Sequence, residues 1–118
     1  MDQRVQAVIN IMKAGSDKEL SLIELAQAVN LSTSRLRHVF KAEMGISPAQ
    51  YIKFLKMNKA KELTESTFLN VKQIMNVVGI SDGSHFVRDF KRFFGVTPMQ
   101  CRIRSISAQS RLAKPANK

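Results

Sequence analysis

One cysteine, Cys101, and no tryptophan occur in the 118 residues of this chain. A lone thiol excludes an intramolecular disulfide and a cysteine-built zinc site, and it fits a reducing compartment such as the cytoplasm. Acidic residues are scarce too, nine Asp and Glu against nineteen Lys and Arg. The sequence offers no paired carboxylates, no Ser-His-Asp set and no glycine-rich phosphate loop, so the groups that an enzyme active site needs are missing. Its two histidines, His38 and His85, lie 47 positions apart without cysteines or a carboxylate cluster, which calls for neither a metal nor any other cofactor. No apolar run approaches the roughly 20 residues of a membrane-spanning helix. Met1 to Lys13 mixes Asp2, Arg4, Asn10 and Lys13 among its apolar positions and is no secretory signal.

What is present narrows the function further. A 44% hydrophobic content is enough for the packed core of one small domain. The net charge of +10 attracts polyanions and speeds their capture, which puts nucleic acid first among partners and an acidic membrane surface second.

Helical periodicity dominates, with little strand alternation. Val5, Val8, Ile9 and Met12 share one face of a first helix that Gly15 ends. Ser21 and Glu24 form a capping box for a second, starting near Leu22 and burying Leu22, Leu25, Ala26 and Val29. A third, about Thr33 to Met44, buries Leu36, Val39 and Phe40 until Gly45 stops it. Ser47, Pro48 and Gln50 open a long fourth helix to about Glu65, with Tyr51, Ile52, Leu55, Ala60 and Leu63 inward and Lys53, Lys56, Lys59 and Lys61 in water. Asn70 and Gln73 cap a fifth helix with Val71, Ile74, Val77 and Val78 as its buried face. A sixth, roughly Gly83 to Phe94, buries Phe86, Phe90 and Phe93 or Phe94. Thr97, Pro98 and Gln100 start a short seventh helix with Ile103 on its apolar side. Residues 107–118, polar, basic and containing Pro115, are expected to fray.

Residues 29–50 recur at 78–100. Gly45-Ile46-Ser47-Pro48-Ala49-Gln50 matches Gly95-Val96-Thr97-Pro98-Met99-Gln100, Phe40-Lys41 matches Phe90-Lys91, and Val29-Asn30-Leu31-Ser32 matches Val78-Gly79-Ile80-Ser81. The offset is 49 before the turn (78 − 29) and 50 after it (90 − 40), so the second copy carries one extra residue near Asp82-Gly83. Each copy is a short helix, a tight turn and a second helix with basic or hydrogen-bonding outward residues. That is a helix-turn-helix, whose second helix enters the DNA major groove.

The outward residues suit base edges. Arg can bond guanine bidentately, Ser and His can donate or accept, and valine methyls can meet a thymine methyl. The candidates for base contact are Ser34, Arg35, Arg37 and His38 in the first copy and Ser84, His85, Val87 and Arg88 in the second. Ser32, Thr33, Lys41, Lys53, Lys56, Ser81, Lys91, Arg92 and Arg102 are candidates for phosphate contact, which adds affinity without reading sequence. Ser32, Thr33, Ser81 and Ser84 can also cap the two reading helices. Cys101 reads as a small buried hydrophobe.

The stretch from Leu25-Ala26 through Leu36, Phe40-Lys41, Gly45, Ser47-Pro48 and Tyr51-Ile52, then Ile74, Val78-Gly79, Ser84-His85-Phe86, Phe90-Lys91, Phe94-Gly95 and Thr97-Pro98, resembles the DNA-binding domain of the AraC/XylS transcriptional regulators. The likeness covers roughly residues 5–104. It implies an all-α fold with two helix-turn-helix subdomains, about 22–44 and 71–94, joined by a linker helix at about 48–65. The domain would span 1–106, followed by a flexible tail at 107–118. It also implies a regulator that reads two successive major-groove segments of double-stranded DNA. RNA polymerase is a further partner by this resemblance, and a sensor or receiver domain would lie outside this chain. Two positions depart from the pattern: Met75 stands where the family usually has Ala, which implies a looser or reoriented second helix pair, and Cys101 stands where it usually has Tyr. A sequence-independent architectural DNA binder, or a module docking on polymerase, are the competing readings.

Overall fold

The computed structural model describes residues 2–15 and 21–113, with side chains through 109. Among these residues there are seven helices and no strand: α1 Gln3–Ala14, α2 Leu22–Ala28, α3 Thr33–Met44, α4 Pro48–Ser66, α5 Val71–Val78, α6 Gly83–Phe94 and α7 Pro98–Ala113. None is long and apolar enough to cross a membrane. The chain divides into two compact units, Met1–Lys56 and Met57–Lys118.

In the first unit the core is Val5, Val8, Ile9 and Met12 of α1, Leu25 and Ala26 of α2, and Leu36 and Phe40 of α3. Leu22, Val29, Val39, Tyr51, Ile52 and Leu55, expected inside, are only partly buried and pack against that cluster. Phe40 meets the Tyr51 ring edge-on at 5.7 Å. The start of α1 is fixed twice over: Asp2 accepts from the Arg4 backbone N–H at 2.8 Å, and the Asp2 N–H donates to the Glu43 carboxylate.

α2 ends in a Schellman motif. The Leu31 N–H reaches back to the Ala26 carbonyl and the Asn30 N–H to Gln27, with Asn30 in the left-handed region at φ 58°. Asn tolerates that region better than most residues do. In the second unit the Ile80 N–H reaches the Met75 carbonyl in the same way, and Gly79 holds φ 78°.

The second core comprises Met57 and Ala60 of α4, Ile74, Met75 and Val78 of α5, Phe86 and Phe90 of α6, and Cys101 of α7. One inward assignment from the sequence changes here, and one open choice is settled. On α5 the buried face is Ile74, Met75 and Val78, so Val77 is exposed. Met75, where a looser or reoriented pair was expected, packs into this core: it is 7% exposed, and its Sδ and Cε lie 3.9 Å from where a Cβ on Gly83 would stand. Between the two phenylalanines at the end of α6, Phe94 is the one packed on the core, 4.8 Å from the Phe90 ring, while Phe93 is exposed.

α7 differs most from expectation. It runs to Ala113, where a short helix and a fraying tail from Ser107 were expected; residues 114–118, including Pro115, lie outside the described residues. Its inward face carries Pro98, Cys101, Arg102 and Ser105, at the i, i+3, i+4, i+7 spacing of one helix stripe. Ile103 therefore falls on the outer side, as do Met99 and Ile106, and all three are exposed.

Candidate nucleic-acid interface

α3 begins at Ser32, whose hydroxyl accepts from the Arg35 backbone N–H at 3.1 Å. With Leu36 and Phe40 buried, Ser34, Arg35, Arg37, His38 and Lys41 are left exposed, and Thr33 is half-buried. Ser34, Arg37, His38, Lys41 and Ala42 line one shallow open groove. Their spacing of three, one, three and one is a single helical stripe, so four candidate DNA-contacting residues share one face. Arg35 is exposed but does not line that groove. Arg37 also borders a small apolar recess of ≈ 230 Å³ formed with Leu22, Leu25, Pro48 and Ile52.

α6 presents Ser84, His85, Val87, Arg88, Lys91 and Arg92 as exposed residues opposite buried Phe86, Asp89 and Phe90. Its cap is Asp82, not Ser81: the Asp82 Oδ1 accepts from the His85 backbone N–H at 3.1 Å. The match with Ser32 thus runs at an offset of 50, whereas Leu31 and Ile80, which close the preceding turns, match at 49. Ser81 is therefore the inserted residue, exposed and available as a phosphate contact.

The second carboxylate oxygen of Asp82 lies 3.0 Å from the His85 Nδ1. Its carboxyl is held below the ordinary range, first by the hydrogen bond from the His85 backbone N–H, with the nearby His85 ring, the Ser84 backbone N–H and the Arg88 charge adding to it against an opposing desolvation. Neither Asp82 nor buried Asp89 was singled out from the sequence. The one-residue shift in offset was the signal that could have found Asp82.

Arg102, expected on a phosphate, is tied to backbone carbonyls in the structure. Its Nε donates to the Thr64 carbonyl and an Nη to the Thr67 carbonyl, both at 3.1 Å. Ser105 donates to the Glu65 carbonyl at 3.2 Å. These donors satisfy carbonyls at the end of α4 that have no partner within the helix. Two of the guanidinium's donors are thus engaged within the fold. Lys53 is exposed and Lys56 half-buried, as phosphate candidates can be. Lys59 pairs with Glu62 at 3.4 Å, and Lys61 pairs with Glu65 at 3.9 Å while lying over the Phe94 ring.

Cys101 is buried, and its thiol is pushed up first by desolvation and then by the Glu65 charge, the opposite of a nucleophile's environment. Among the described residues no three His, Cys, Asp or Glu side chains gather as a metal set would.

Two short-helix, turn, helix units, each with a basic outward second helix, define a helix-turn-helix nucleic-acid-binding fold. A helix-turn-helix domain family model, of the AraC type, matches residues 25–104. The HTH-type transcriptional regulator ArgR of Pseudomonas aeruginosa is 36% identical over 97 residues, which cover 82% of this chain and 29% of that protein. Among solved structures, an AraC-type DNA-binding domain-containing regulator from Chromobacterium violaceum superposes with TM-score 0.82 at 28% identity, covering 86% of this chain and 91% of that one. The C-terminal domain of the two-component response regulator yesN from Fusobacterium nucleatum gives TM-score 0.74 at 31% identity, covering 82% and 95%. The chain belongs to the AraC/XylS family as its double-stranded-DNA-binding domain. It spans under a third of the length of the ArgR relative.

Proposed function

We propose that the chain is the output domain of a cytoplasmic bacterial transcription regulator, reading operator sequence through α3 and α6 and performing no catalysis. The observation that carries this reading is the difference between the two outward stripes. The scaffold repeats, yet Ser34, Arg37 and His38 on α3 stand where α6 has Ser84, Val87 and Arg88 at the matching offset of 50. A binder indifferent to sequence gains nothing from two dissimilar reading helices. Each unit then takes one of two successive major-groove segments, and control by a signal falls to a sensor or receiver domain outside these residues. That placement is compatible with the yesN neighbour, a C-terminal domain by its own description.

Selection of bound duplexes from a random pool tests the reading. It should return a motif with two separated blocks of preferred bases. In that motif Arg37→Ala should lose discrimination of about 1–3 kcal/mol at one position. A flat base distribution, or equal weakening by Arg37→Ala on every duplex, would contradict it.

A further inference from the structure

Both oxygens of the α6 cap are engaged by one residue. Asp82 Oδ1 takes the backbone N–H of His85 at 3.1 Å, and Oδ2 stands 3.0 Å from that residue's ring Nδ1. A carboxylate held ionised offers only lone pairs, and at this distance a second lone pair on Nδ1 would face them in repulsion, so the approach favours the proton on Nδ1. In the neutral ring the other nitrogen, Nε2, then carries a lone pair and no proton. Arg88, one turn further along α6, adds a positive charge that helps to hold Asp82 ionised. The ring is 58% exposed and so open to a ligand while its orientation is set from below.

We propose that Asp82 is a positioning residue for base recognition: it fixes the His85 tautomer so that Nε2 meets DNA as an acceptor. In the major groove the donors on base edges are the amino groups of adenine and cytosine, whereas guanine and thymine offer acceptors there. The position facing His85 is therefore read as amino-bearing against carbonyl-bearing, and Asp82 makes the choice without touching DNA. This rests on α6 being a reading helix.

Asp82→Asn gives the sharpest test. Its amide oxygen can still cap α6, while its NH₂ would face Nδ1 as a donor and drive the proton to Nε2. Nitrogen-15 chemical shifts of the His85 ring at a pH of about 8, above the ordinary imidazole range, should show Nδ1–H in the wild type and Nε2–H in Asp82→Asn, with no DNA present. Duplex selection at the same pH should show one base position turning from adenine or cytosine toward guanine or thymine, a change of roughly tenfold or more in relative preference. Asp82→Ser, which keeps a cap and removes the ring's partner, should relax that position without inverting it. An Nε2–H tautomer in the wild type overturns the inference, and so does an unchanged base preference in Asp82→Asn while the motif as a whole survives. If no wild-type motif exists, the reading of α6 fails first and the inference falls with it, even where the ring spectrum shows Nδ1–H.

Discussion

Among single residues, Arg102 shows how position overrides side-chain type. An arginine in a basic DNA-binding chain reads as a phosphate contact, but burial of Cys101 and Pro98 on α7 turns Arg102 toward the end of α4. There its planar fork bridges the Thr64 and Thr67 carbonyls, two residues that the chain cannot satisfy by further helix. Hydrogen bonds from a charged donor contribute about 1.5–3 kcal/mol, and a lysine's single ammonium nitrogen cannot stand at both places that Nε and Nη occupy. Arg102→Ala should lower unfolding stability by about 2 kcal/mol, and Arg102→Lys should recover little of it, as chemical denaturation would show. DNA affinity compared at equal folded fraction should change far less. A loss of affinity with unaltered stability would return Arg102 to the phosphate set. Asp82 makes a complementary case: its cap carries a lowered carboxyl, so its stabilising effect is complete above the ordinary carboxylate range and fades as pH falls through the folded value.

Elements were legible from the sequence wherever a local rule set them. The capping pairs Ser21 with Glu24, Ser47 with Gln50, Asn70 with Gln73 and Thr97 with Gln100 all form in the structure, because each satisfies backbone groups within four residues of chain. What could not be read depended on packing between elements. α7 shows no strong apolar stripe, since the residues that hold it to α4 are Cys101, Arg102 and Ser105. Met75 departs from the family's usual Ala, and its partner across the helix pair departs with it. At the matching positions the first unit has Ala26 and Thr33 and the second has Met75 and Gly83. The added bulk on α5 thus lies beside a missing side chain at the start of α6. Glycines therefore differ in what they tolerate. Gly95 sits at φ +79°, where any L side chain is strained, so Gly95→Ala should destabilise by about 1–2 kcal/mol even though no atom stands within 4 Å of the added Cβ. Gly83 has no such backbone, and a Cβ there would meet Met75 only at 3.9 Å. Gly83→Ala should instead stabilise by about 0.5–1 kcal/mol through the unfolded chain. Opposite signs in paired denaturation curves are the expected result, and a loss at both sites would mean that Met75 needs more room than the geometry gives it.

For the molecule as a whole, charge governs how DNA binding responds to salt. The net +10 includes cations already committed within the fold: Lys59 to Glu62, Lys61 to Glu65 and Phe94, and Arg102 to the α4 carbonyls. Apart from Arg102, the charged residues among the proposed phosphate contacts are Lys41, Lys53, Lys56, Lys91 and Arg92. Each phosphate neutralised releases counterions and contributes about 0.9 to the slope of log K against log salt. Five such contacts give a slope of roughly −4.5, well short of what the total charge would suggest. Binding isotherms on one duplex between low and moderate salt should find that slope. Lys41→Gln or Lys91→Gln should each reduce it by roughly 0.9 and weaken all duplexes alike, since a phosphate contact carries no base information. Arg37→Ala and Arg88→Ala should leave the slope nearly unchanged while altering the preferred sequence. If the lysine variants changed base preference and the arginine variants changed the slope, the division between the two sets of outward residues would be reversed, with α3 and α6 lying on the backbone instead of in the groove.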